Sequence, residues 1–271
     1  MTILTSIILG VVQGIAEFLP ISSSGHLILT RTFLSMTDDS VVAFDAVLHI
    51  ATTLVVILYF RKELWVLFQT LLRLINKKPV DLKNTLLLKC LFFATLPAAT
   101  AGFFLDDLIS GYLQSFTVMA ISWAVMGLFF MAAEWYYTTR PQKKVLTFKR
   151  AMIIGSFQML ALLPGLSRSG STIGSGMLLG LTRYDAARFS FLLSIPISLG
   201  AGLKKLLNLL VSPDEVRWLP ILVGSAVAFI FGMIAINLFM NYIRRHTLWP
   251  FVWYSFVLAG LVAYLSHIGA I

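Results

Sequence analysis

Apolar residues run along this chain in long blocks separated by short polar stretches. The blocks at residues 42–60, 86–105, 116–136, 186–206, 218–240 and 250–268 are each long enough to carry a helix across roughly 30 Å of hydrocarbon. Two further apolar segments, 4–34 and 151–181, are broken in the middle. The first carries Pro20-Ile21-Ser22-Ser23-Ser24-Gly25-His26, and the second Pro164-Gly165-Leu166-Ser167-Arg168-Ser169-Gly170-Ser171-Thr172. Non-helical backbone survives at membrane depth only where protein or a water-filled cavity covers it. The two breaks therefore read as halves of one buried polar pocket, each at the tip of a re-entrant hairpin. The pattern predicts an all-α integral membrane protein with six transmembrane helices and two re-entrant helical hairpins, forming one membrane domain over 1–271.

Composition supports that picture. Of 271 residues, 58% are hydrophobic and 12% charged, and the mean hydropathy is +0.88, far above that of a soluble domain. The net charge of +9 would suit a nucleic-acid binder. The basic residues, however, sit in short loops between apolar blocks and not on one soluble face, so no nucleic-acid partner is expected. Cys90 is the single cysteine, which excludes an intrachain disulfide and a cysteine metal site; it reads as a small apolar residue in a span. No basic region precedes the first apolar run, so a cleaved signal peptide is not expected.

The loops also suggest an orientation. Of 21 Lys and Arg, sixteen fall between Arg61 and Lys89, between Arg140 and Arg150, at Arg183 and Arg188, and at Arg244 and Arg245. The opposite side holds Arg31, Lys204, Lys205 and Arg217 with Asp38-Asp39, Asp106-Asp107 and Asp214-Glu215. The positive-inside rule makes the first side cytoplasmic, so the two hairpins enter from opposite faces. The halves match in order: a broken hairpin, a span opened by Asp45 or Asp185, then two more spans. This predicts an inverted-topology repeat, of about 1–140 and 150–271, with its site at the midplane where the broken helices meet. Gly10-x-x-Gln13 matches Gly155-x-x-Gln158, although the prolines are one residue out of step.

The breaks carry chemistry. A helix that restarts after Pro164 presents unpaired N–H groups suited to an anion. Arg168 adds a fork of donors matched to phosphate oxygens, and Ser167, Ser169, Gly170, Ser171 and Thr172 surround it with hydroxyls and a close backbone approach. Arg168 lies too deep in its hairpin to snorkel to an interface. In the first segment Gln13 and Glu17 share a helix face, and Glu17, Ser22, Ser23 and His26 gather around Pro20. A carboxylate, an imidazole and a hydroxyl beside an anion cradle can perform hydrolysis. His49, one turn after Asp45, reads as a packing residue, and His246 and His267 lie at span ends.

At these residues the chain resembles the bacterial undecaprenyl pyrophosphate phosphatase family, known also for bacitracin resistance. The resemblance rests on Gln13-Gly14-Ile15-Ala16-Glu17, on 18–26 and on Pro164 to Thr172, and it covers the whole chain in length and order of spans. It implies an inner-membrane enzyme that removes one phosphate from undecaprenyl diphosphate, with an active site near the outer leaflet. It implies dependence on a divalent cation, Mg2+ or Ca2+, and roles for Glu17, Ser23, His26, Ser167, Arg168 and Thr172. Many members carry glutamate where this chain has Gln13, so the cation would be held here by Glu17 with Gln13. The partners implied are a polyprenyl diphosphate lipid and the bilayer, with a homodimer as one possible assembly. On this reading Ser23 attacks phosphorus or orients a water, and His26 acts as base or leaving-group acid. The rival class is a transporter or flippase, since inverted repeats with broken helices are common carrier architecture.

Overall fold

The computed structural model describes residues 1–36, 41–112, 115–140, 144–211 and 218–271. Asp38, Asp39, Lys143, Asp214, Glu215 and Arg217 lie outside them, as do the side chains of Asp106, Asp107 and Lys205, so the orientation argument keeps only its other charges here. Among the described residues every regular element is helical.

Helices α1 (Ile3–Ala16) and α2 (Ser23–Phe33) form the first hairpin. At 14 and 11 residues they rise only about 21 and 17 Å, too short to span. The second hairpin is α7 (Phe148–Phe157), a 3-10 turn (Gln158–Leu162) and α8 (Arg168–Leu178). The long helices are α3 (Val41–Tyr59), α5 (Leu82–Tyr112), α6 (Phe116–Thr139), α9 (Arg183–Val211), α10 (Trp218–Tyr242) and α11 (Trp249–His267). Five of them are long and apolar enough over their described residues to cross a membrane, and α3 runs 19 residues. The exterior is oily: Leu222 is 60% exposed, Leu238 63% and Val257 69%. In water this would be untenable; in hydrocarbon it costs nothing.

The stretch 61–89, which its charges suggested was a loop, contains helix α4 (Arg61–Ile75). Its charges Arg61, Lys62, Glu63 and Arg73 lie towards its ends, while Leu67 is buried and Trp65 and Ile75 face outward. An amphipathic helix too short to span suits the membrane interface. Glu63 ties it to the bundle by a two-pronged pair with Arg188 of α9.

The packing exchanges partners between halves. Helix α1 packs along α10 and α7 along α5; α3 meets α10 and α9 meets α5; α3 and α9 touch each other, as do α6 and α11. This exchange of partners is what an inverted repeat would give. Gly10 shows why the helices sit so close: a Cβ there would lie 2.4 Å from the Gly224 carbonyl oxygen on α10. At Gly155 it would lie 2.2 Å from the Ala94 carbonyl oxygen on α5. The two glycines of the weak sequence repeat therefore do the same job against counterpart helices. With the caps aligned, Gly10, Gln13, Ser22, Ser24 and Gly25 recur in unchanged spacing as Gly155, Gln158, Ser167, Ser169 and Gly170. Only the prolines slip.

Among the described residues, two further ion pairs away from the hairpin tips hold the bundle. Arg31 of α2 pairs with Asp45 of α3. Arg183 grips the fully buried Glu134 of α6, with Nε at 2.9 Å and Nη2 on the other oxygen. Glu134 also accepts the Leu248 N–H at 2.6 Å, which fixes the approach to α11. A buried carboxylate is tolerable only with such partners.

Candidate active site

Helix α1 ends at Glu17 because Pro20 has no N–H to continue the ladder. That leaves a carboxylate at the negative end of a helix, buried to 8% exposure, a position that needs a cation. Arg168, from the tip of the other hairpin, supplies it: Nη2 donates to Glu17 Oε1 at 2.6 Å. The second carboxylate oxygen accepts from Ser23 Oγ at 2.7 Å and from Gln13 Nε2 at 3.0 Å. The two breaks thus meet on one carboxylate.

Ser22 is the strained point of the first tip. It is buried, with φ +72°, a conformation costly for a non-glycine residue and concentrated at functional sites. Its hydroxyl caps α2 by accepting the Gly25 N–H at 3.4 Å. Its carbonyl lies 2.7 Å from His26 Nδ1, which must therefore carry the proton. In the neutral ring Nε2 is then the acceptor, and it takes the Tyr254 hydroxyl at 2.5 Å. Tyr254 stacks on His26 with ring centroids 5.7 Å apart, and Trp123 meets the imidazole edge-on. Trp123 Nε1 donates to the Ile21 carbonyl at 3.0 Å, fixing the tip from α6.

The second tip turns at Gly165, where φ is +91° and a Cβ would strike Ser122 at 2.7 Å; no other residue fits. Ser167 then caps α8 by accepting the Gly170 N–H at 3.1 Å. Ser169 Oγ lies 3.1 Å from Ser167 Oγ and donates to the Leu19 carbonyl at 3.4 Å, a second stitch between hairpins.

The structure brings together Gln13, Glu17, Ser22, Ser23, Ser167, Arg168 and Ser169, with His26 beside them. Three sequence readings need correction. Thr172 does not face the cradle: it is fully buried, its hydroxyl donates to the Arg168 carbonyl at 2.8 Å, and it lies 2.6 Å from Ser190 Oγ of α9. From there it supports the Arg168 backbone. The Gly170 N–H, read as part of the anion site, is already taken by its cap. Ser23 hydrogen-bonds to Glu17, while both His26 nitrogens are engaged elsewhere, so the base in reach of Ser23 is the carboxylate.

Two residues escaped the sequence reading. His49 Nδ1 lies 3.2 Å from Gln13 Nε2 and 3.6 Å from Glu17 Oε2, so it belongs to the site and is not a packing residue. Its only signal was a polar side chain in the apolar α3. Tyr254 sits far off in sequence, and nothing in α11 marks it.

Two buried atoms at this junction have no partner among the described residues: Arg168 Nη1, a donor, and Gln13 Oε1, an acceptor. Leaving such atoms unsatisfied costs about 1–3 kcal/mol each, so a ligand or water that pairs them gains that much.

This geometry coincides with close sequence relationships. The family model described as bacitracin resistance protein BacA matches residues 6–261. A protein named undecaprenyl-diphosphatase from Idiomarina loihiensis is 42% identical over 265 residues, covering 98% of this chain and 99% of the relative. One of the same name from Marinobacter nauticus is 38% identical over 262 residues, covering 97% and 98%. A third, from Trichlorobacter lovleyi, is 42% identical over 263 residues, covering 96% of each. The chain belongs to the bacitracin resistance protein BacA family.

Proposed function

We propose that the chain is an undecaprenyl-diphosphatase. It hydrolyses the terminal phosphate of undecaprenyl diphosphate to give undecaprenyl phosphate and inorganic phosphate, renewing the lipid carrier of cell-wall synthesis and conferring bacitracin resistance. The observation that carries this is the Glu17 carboxylate held at once by Arg168 and by the Ser23 hydroxyl. A carrier for the same anion needs the arginine but has no use for a hydroxyl held on a carboxylate, so hydrolysis is favoured over transport.

Arg168 keeps Nη2 on Glu17 and offers its unpartnered Nη1 to the terminal phosphate, with the hydroxyls at Ser167 and Ser169 beside it. Charge that develops on those oxygens is met by donors already in place. Ser23 Oγ attacks the terminal phosphorus as its proton passes to Glu17. The bond from phosphorus to the bridging oxygen breaks, and undecaprenyl phosphate leaves. His26, once it has taken up a proton at Nε2 in place of the Tyr254 hydroxyl, passes that proton to the leaving oxygen. Glu17, after losing the Ser23 proton to solvent, takes one from an attacking water and returns it to Ser23 Oγ as phosphate leaves.

The donor set is compatible with a hard cation. Glu17 and the unpartnered Gln13 Oε1 would hold Mg2+ or Ca2+, which when bound would neutralise phosphate charge. Among the described residues no three His, Cys, Asp or Glu side chains cluster to form a protein-only cage. The remaining ligands would be substrate oxygens and water, as Mg2+ prefers. The enzyme would sit in the bacterial inner membrane with its site open to the outer side. The lipid would enter sideways past His26 and the 40% exposed Tyr254.

Purified full-length protein in detergent, given undecaprenyl diphosphate, should release phosphate continuously. Folded protein that moves the lipid between leaflets without releasing phosphate would make it a carrier.

A further inference from the structure

At the basic end of the bundle, away from the hairpin tips, the end of α6, residues 144–147, the start of α7 and the end of α8 line an open cleft of about 320 Å³. It lies within the size range of small-ligand sites. Lys144, Lys149 and Arg150 line it with Thr147, and Ile153 and Leu178 close its apolar side. Among the described residues lining it there is no carboxylate.

Three cations gathered without a counter-charge need an explanation, and their placement sharpens the need. Lys149 and Arg150 occupy the first turn of α7, which has no acidic residue. That end of a helix is its positive pole, where cations are unfavourable and anions favoured. Two of the three are also held in position. Arg150 Nη1 donates to the Val145 carbonyl at 2.6 Å. The Lys144 N–H donates to the Gly180 carbonyl at 3.1 Å, and its aliphatic stem lies across Gly180. Beside this charged pocket, Val145 is 76% and Phe148 43% exposed. Apolar side chains next to a cationic pocket at the edge of a bilayer match a molecule with an anionic head and a hydrocarbon tail better than a free ion.

We propose that this pocket binds the phosphate head group of an anionic phospholipid. The phosphate sits among Lys144, Lys149 and Arg150, and an acyl chain runs over Ile153 and Phe148. This site is separate from the Glu17–Arg168 junction and does not depend on the activity assigned there.

The test is native mass spectrometry of delipidated full-length protein titrated with phosphatidylglycerol, phosphatidylcholine or inorganic phosphate. The wild type should retain phosphatidylglycerol with a preference of about tenfold or more over phosphatidylcholine. The double variant Lys144→Gln/Lys149→Gln should lose roughly tenfold or more of that affinity, while Lys62→Gln/Lys77→Gln, an equal charge removed from α4 and the turn that follows it, should stay within about twofold. All four lysines are exposed, so both variants should fold, and phosphatidylglycerol should raise the Tm of the wild type and of the second variant only. Equal losses in the two variants would reduce the effect to diffuse charge and overturn the proposal. So would equal affinity for phosphatidylcholine, or displacement of the lipid by inorganic phosphate at comparable concentration, which would make a free anion the occupant.

Discussion

Glu17 is the residue on which the account turns, because it receives Arg168, Ser23 and Gln13 at hydrogen-bond distance. Glu17→Gln keeps the shape but removes both the base and the charge that holds Arg168. Turnover should fall by about 10²–10⁴-fold, whereas Gln13→Ala should cost less, about tenfold, since it removes one uncharged donor to Glu17 and one neutral oxygen while the carboxylate stays. Steady-state phosphate release from both variants checks the order, and equal losses would refute it. Ser23→Ala should abolish turnover, and quenched wild-type enzyme should contain phosphoserine at this position. Substantial activity in Ser23→Ala would mean that water attacks and Ser23 only orients it. The residue types at this junction were legible from sequence, because arginine, glutamate and proline in an apolar run have few other uses. Their pairing was less so. His26 was expected to act as base or leaving-group acid beside Ser23, but the unusual backbone at Ser22 turns its carbonyl onto His26 Nδ1, and Ser23 donates to Glu17.

At the level of elements, the hairpins reach each other because small residues let helices touch backbone to backbone. Gly155→Leu should force α7 off α5 at a contact now only 2.2 Å from a Cβ position. This overpacking should cost about 2 kcal/mol or more and lower the Tm by several degrees. Gly260→Leu on α11 is the control: nothing lies within 4 Å of a Cβ there, so its Tm should not fall. Equal melting of the two variants would contradict the close-packing account. The long apolar helices could be placed from sequence because each block had only one way to cross a bilayer. Helix α4 could not, because its terminal charges read as loop while its apolar face points outward, where a soluble-protein pattern expects polarity. Thr172 misled for a different reason: a hydroxyl in a signature segment looks like a ligand, yet its helical position turns it to Ser190 and the Arg168 carbonyl.

For the whole molecule, the exchange of partners between halves places two dissimilar tips on one carboxylate. The first half contributes the base and hydroxyl, the second the arginine. Ser22 and Ser167 each cap the helix that restarts after their break, although the prolines before them are one residue out of step. The charge distribution predicts that a label added after Ile271 is reached by a membrane-impermeant reagent from outside the cell, and that one placed between Lys77 and Lys83 is not. The reverse pattern would move the site's access to the cytoplasm. The central claim, that the arginine of one hairpin grips the terminal phosphate while the carboxylate of the other drives its hydrolysis, is tested most directly by kcat/KM for undecaprenyl diphosphate in purified Arg168→Lys. A single ammonium nitrogen cannot reproduce the spaced guanidinium fork that holds Glu17 with one nitrogen and offers the other to phosphate. The account predicts a loss of about a hundredfold or more in folded protein with an unchanged Tm, and near-normal turnover in that variant would contradict it.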